Sequence, residues 1–91
     1  MTQKILVESL SMDLLRVALG LHRGSHSMAE RFREEAIKRE QELEDEKLQG
    51  YLKKLVDSSK RVLADRSERT AEDALMYSVL FQNFARRYYN S

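Results

Sequence analysis

The chain reads as all-α: a single-domain, antiparallel, up-and-down four-helix bundle spanning residues 1–91. Three observations lead there. Proline is absent and the three glycines stand only at Gly20, Gly24 and Gly50, so long stretches lack the strongest terminators of helix. Apolar residues recur at three- and four-residue spacing along most of the chain. The phase of that pattern then reverses near Gly50, which turns a rod back on itself.

Helix 1 is predicted over about residues 2–19. Leu6, Val7, Leu10, Leu14, Val17 and Leu21 repeat at helical spacing and form one stripe. Ile5, Met12, Leu15 and Leu19 form a second stripe on nearly the opposite side. A helix that is apolar on two sides must hide both: either it is central in the bundle and touches neighbours on two sides, or one side packs in the core and the other against a second chain.

Gly20 to His26 reads as a connector. Ser27-Met28-Ala29-Glu30 then supplies a helix start, with the Ser27 hydroxyl accepting from a first-turn amide and Glu30 reaching back. Helix 2, about 27–49, is heavily charged, with Glu34 placed four residues before Lys38 and Glu35 four before Arg39. Its apolar face is thin: Met28, Ala29, Phe32, Ala36 and Leu43. The acidic run Glu40, Glu42, Glu44, Asp45 and Glu46 is expected to be a solvated face or a dock for a basic partner.

The turn at Gly50 follows from phase rather than from the glycine's own helix cost of about 1 kcal/mol. At about 100° per residue, the Phe32–Ala36–Leu43 stripe and the Leu52–Leu55–Val56–Leu63 stripe point in nearly opposite directions on one straight helix. A break brings both to one core; the alternative, a rod continuous through Gly50, would require domain swapping. Helix 3, about 51–65, has the cleanest face: Leu52, Leu55, Val56, Ser59, Val62 and Leu63. Lys53, Lys54, Lys60 and Arg61 flank it, interrupted by Asp57.

A short polar link, Arg66 to Arg69, leads to Thr70-Ala71-Glu72-Asp73, whose acidic residues suit the positive end of a helix dipole. Helix 4, about 70–89, carries Ala74, Leu75, Tyr77, Phe81, Phe84, Ala85 and Tyr88 on one broad face. Met76, Val79 and Leu80 fall outside it. Most of the aromatic residues lie between Tyr77 and Tyr89, so the densest packing is expected around this helix. A stripe of Met76, Tyr77, Phe81 and Phe84 reads as core rather than as a cofactor box, and no cofactor is expected.

Composition narrows the function. With 91 residues the chain buries about 60–65% of its unfolded surface, a thin margin that small domains offset with disulfides, metals or self-association. Cysteine is absent, so disulfides and thiolate metal sites are excluded. Self-association remains, and a homodimer is expected, buried through Ile5, Met12, Leu15 and Leu19 of helix 1 with Met76 and Leu80 of helix 4. Sixteen basic and fifteen acidic residues leave a formal charge of +1 with the signs intermixed, so nucleic acid is not an expected partner. Met1-Thr2-Gln3-Lys4 runs into Ile5-Leu6-Val7-Glu8, which does not read as a signal peptide, and no run approaches the ~20 apolar residues that span a bilayer. A cytoplasmic protein without membrane contact is expected.

Candidate chemistry is sparse. His22, His26 and Glu30 would share one face of a continuous helix, but Gly20, Gly24 and Ser27 place the histidines in a loop, so no metal is expected. No glycine-rich phosphate loop and no nucleophile elbow are present. One catalytic pattern stands out: Arg16 and His22, separated by Val17-Ala18-Leu19-Gly20-Leu21. This spacing resembles the arginine–histidine signature of HEPN-type helical ribonucleases. The resemblance implies that His22 would assist proton transfer at a ribose hydroxyl while Arg16 stabilised phosphate charge. The principal expectation is a non-enzymatic, self-associating interaction module with an unidentified protein partner; a HEPN-like RNA-binding protein or endoribonuclease is the alternative.

Overall fold

The computed structural model describes residues 2–48 and 50–89. Four helices follow in order: α1 (Gln3–His22), α2 (His26–Glu44), α3 (Gly50–Ala64) and α4 (Thr70–Tyr89). They form the expected antiparallel up-and-down bundle, with no strand among the described residues. The helix α1 lies between α2 and α4, and α3 closes the ring by touching the same two. The radius of gyration is 12.3 Å, as expected for a compact chain of this length (about 12 Å).

The first stripe of α1 is the core: Leu6, Val7, Leu10, Leu14 and Val17 are buried. Opposite them lie Leu52, Leu55, Val56, Val62 and Leu63 of α3, with Ala74, Phe81, Phe84 and Ala85 of α4. Phe81 is the largest fully buried side chain. Phe84 stacks on Tyr88 at 4.4 Å and meets Tyr89 edge-on at 5.8 Å, so aromatic packing does concentrate on α4. Leu75, expected in this face, is instead exposed, as is Tyr88, while Ser78 is buried. Small residues let α4 approach α1 closely: the Ser11 hydroxyl donates to the Ser78 carbonyl at 2.7 Å.

The first connection is tighter than the sequence implies. Residues Gly20, Leu21 and His22 belong to α1, and only Arg23–Ser25 link it to α2. The helix ends at Gly24, whose φ is 73°. The Ser25 amide donates to the Gly20 carbonyl at 2.8 Å and the Gly24 amide to Leu21 at 3.2 Å, the paired bonds of a Schellman termination. Ser25, not Ser27, caps α2 by accepting from the Met28 amide. Glu30 does not reach back; it pairs with Arg66 across the bundle at 2.7 Å. Because Gly24 occupies the left-handed region over open space, Gly24→Ala should destabilise the bundle by about 1 kcal/mol. A shift of the urea midpoint to lower concentration at constant m is the readout; an unchanged midpoint would refute this assignment.

The break between the second and third helices is present, but it begins earlier than expected. α2 ends at Glu44 instead of running to residue 49, and the predicted end at Gln49 lies outside the described residues. Lys47 adopts a positive φ of 54°, and Leu48 packs on the core edge. Gly50 starts α3 with a φ of 65°. On the second link, Asp65 accepts from both the Ser67 amide and hydroxyl, and the Thr70 hydroxyl donates to the Asp65 carbonyl. The Ser67 hydroxyl bond holds the Asp65 carboxyl below its ordinary range.

Candidate interaction surface

The outward side of α1 carries the second stripe. Ile5 and Met12 are exposed, and Leu15 and Leu19 are half-buried. Its neighbour α4 turns Leu75, Met76 and Val79 outward. The Ser11–Ser78 hydrogen bond pins the two antiparallel helices, so Met12 and Val79 lie within about 3 Å of one level along the bundle. Met12 is 43%, Leu75 48% and Val79 45% exposed. Glu8 and Arg86 border the groove between the helices together with Met12, Ser11, Gln82 and Ala85.

The other two expected contacts lie elsewhere on α4. Leu80 is half-buried and packs on the core. Met76 borders a shallow groove with Ser58, Arg61 and Val62 of α3. Sequence reasoning placed Leu75 in the core and did not include Val79 among the contacts. Spacing of three and four residues along Glu72, Leu75, Val79, Asn83 and Arg86 was the available signal, since it marks one face of a helix.

Arg16 and His22 do not converge. Both are exposed on α1, where a step of six positions sets them about 120° apart around the helix and about 9 Å apart along it. The Arg16 guanidinium lies over the Phe32 ring at 5.1 Å, toward α2. It borders a groove with Ile5, Glu8, Ser9, Met12, Asp13 and Arg39, which His22 does not join. Asp13 is buried there, and burial raises its carboxyl above the ordinary value.

At one end of the bundle, Val17, Leu21, Ala29 and Leu63 floor a cavity of about 230 Å³. Its polar rim is internally committed. Arg33 donates through Nε to the Leu63 carbonyl at 2.7 Å, closing the C-terminal turn of α3. Arg66 holds Glu30, whose carboxyl that hydrogen bond keeps below its ordinary range. His26 reaches this rim, while His22 closes α1. Among the described residues no group of three or more His, Asp or Glu is placed to hold a metal ion.

Glu40 departs most from expectation. Read as part of a solvated acidic face, it is 2% exposed and lies between α2 and α3. The Ser59 hydroxyl is 2.5 Å from Glu40 Oε2 and 3.0 Å from the Val56 carbonyl. A hydroxyl has one hydrogen and cannot serve two acceptors. The shorter contact takes it: Ser59 donates to Glu40 Oε2. Burial pushes the Glu40 carboxyl up to about 7; Ser59, Lys60 and Arg33 oppose this, while Glu44 adds to it. The signal was legible in the spacing: Glu40 continues the Phe32–Ala36 row of α2 by four residues, and Ser59 sits in the apolar row of α3.

The fold is an all-α four-helix bundle that turns Met12 of α1 and Leu75, Met76 and Val79 of α4 outward. Comparison with protein families, curated proteins and solved structures finds no match to this chain. No helix among the described residues is long and apolar enough to cross a membrane.

Proposed function

We propose that this bundle is a non-enzymatic protein–protein interaction module that self-associates through the outward face of α1 and α4. The observation that carries the reading is the outward exposure of Met12 on α1 and of Leu75 and Val79 on α4, two helices that pack together. Contiguous apolar patches are uncommon on monomers and mark contact surfaces. A short chain with no cysteine also gains stability by covering such a face. The ribonuclease alternative receives no comparable support, since Arg16 and His22 point to different sides of α1.

Light scattering across a concentration series should give a dimer mass by tens of micromolar. Val79→Lys should yield a monomer with unchanged helix content, because an exposed substitution costs the fold little, about 0.5 kcal/mol or less. A wild-type chain that stays monomeric at high micromolar concentration would refute self-association.

A further inference from the structure

Resting on the self-association reading, we infer that the partner of this face is a second copy of the chain, docked antiparallel about a two-fold axis that passes beside Met12 and Val79. The argument is one of charge. In an antiparallel pair of α1 helices centred on Met12, a residue four before the centre is level with the residue four after it on the other copy. That sets Glu8 level with the partner copy's Arg16, and does so twice. Ile5 comes level with Leu19 in the same way, apolar against apolar.

The helix α4 obeys the same axis independently. Centred on Val79, Glu72 comes level with the partner copy's Arg86, again twice. The Ser11–Ser78 hydrogen bond makes the two centres coincide: Met12 and Val79 are each one residue from that bond, so they lie within about 3 Å along the bundle. One axis therefore satisfies both helices. Glu8, Arg16, Glu72 and Arg86 are all exposed, and among the described residues none makes an ion pair within the monomer.

Orientation is decided by the same charges. A two-fold axis running along the helices would instead set α1 against the partner copy's α4; with residue 11 level with residue 78, Glu8 would then stand about five residues, or about 7 Å, from the level of Arg86. Two packed helices, each about 30 Å long, present on the order of 600 Å² per copy. That lies at the lower edge of specific interfaces, where charge complementarity and a few apolar anchors decide the pairing.

Absence of cysteine makes the axis directly testable. A residue beside a two-fold axis faces its own copy, so Met12→Cys and Val79→Cys should each form a disulfide-linked dimer under mild oxidation. Lys38→Cys, on the exposed side of α2, should crosslink at least tenfold more slowly. Charge reversal supplies the second arm. Glu72→Arg and Arg86→Glu should each weaken dimerisation at least tenfold, and the double variant should recover to within about threefold of wild type. A wild-type monomer would overturn both this docking and the self-association beneath it. A wild-type dimer whose Met12→Cys and Lys38→Cys variants crosslink equally, or whose double reversal binds no better than the singles, would overturn the docking alone.

Discussion

Raising the pH from about 5 to about 8 is expected to cost this bundle about 2–3 kcal/mol of stability through the single carboxyl of Glu40. The group titrates at 4.5 when free and at about 7 in the folded chain, chiefly because it is buried. Below the first value both states are protonated and Glu40 contributes no pH dependence. Between the two values the unfolded chain loses its proton while the folded chain keeps it, so stability falls as pH rises. The favourable contribution is lost as pH passes through about 7, after which the slope vanishes. Each pH unit of that window is worth about 1.4 kcal/mol.

The groups facing Glu40 are Ser59, Lys60 and Arg33, which favour its charge, and Glu44, which opposes it. Lys60 is engaged with Glu44 at 2.7 Å, so it is not free to neutralise the buried carboxylate. Glu40→Gln should abolish the slope: the amide donates to Ser59, Ser59 donates to Val56, and no charge is buried. The variant should melt on the order of 10 °C above wild type at pH 8 and close to it at pH 5. Ser59→Ala should destabilise at both pH values by about 1–3 kcal/mol, because Glu40 loses its partner. Thermal melts across pH provide the test, and equal slopes for wild type and Glu40→Gln would refute the buried-proton account.

Gly20→Ala should destabilise the bundle by about 2 kcal/mol, although alanine is the better helix former by about 1 kcal/mol. Gly20 is buried inside α1, and a methyl group there would lie 2.8 Å from the Ala29 backbone nitrogen. Real side chains do not approach so closely, and a backbone atom within a helix cannot step aside alone. The two helices would have to separate along their shared face. Ala29→Gly in the same background should recover little, since the nearest atom is the nitrogen and not the methyl. A urea midpoint at or above that of wild type for Gly20→Ala would show that the helices separate at no cost.

Gly20 also shows where sequence reading reaches its limit. A glycine near the end of an apolar stripe reads as a terminator, and here Gly24 terminates while Gly20 allows contact. Both are glycine for steric reasons, but one reason is its own backbone angle and the other is a neighbouring helix. Only the second needs knowledge of Ala29's position. Glu40 repeats the lesson in polar form. A charged residue inside a charged run looks solvated until Ser59, nineteen residues away, is brought against it.

The candidate surface was half legible. Met12 and Ile5 were readable from α1 because a helix with apolar residues on two opposite sides cannot bury both in one small core. On α4 the rows lie closer together, and the difference between Leu75 outward and Ser78 inward depends on a few tens of degrees of rotation. That rotation is set by how closely α4 approaches α1.

Periodicity alone determined that the chain is helical, that it has four helices and that it reverses near Gly50, because these follow from turns of 3.6 residues and from local backbone freedom. Tertiary structure alone decided which glycine lies against a neighbouring helix, which glutamate is buried and which apolar residues are left outside. Each of those depends on the distance between atoms far apart in sequence, and the spacing of residues along one helix contains no information about that distance.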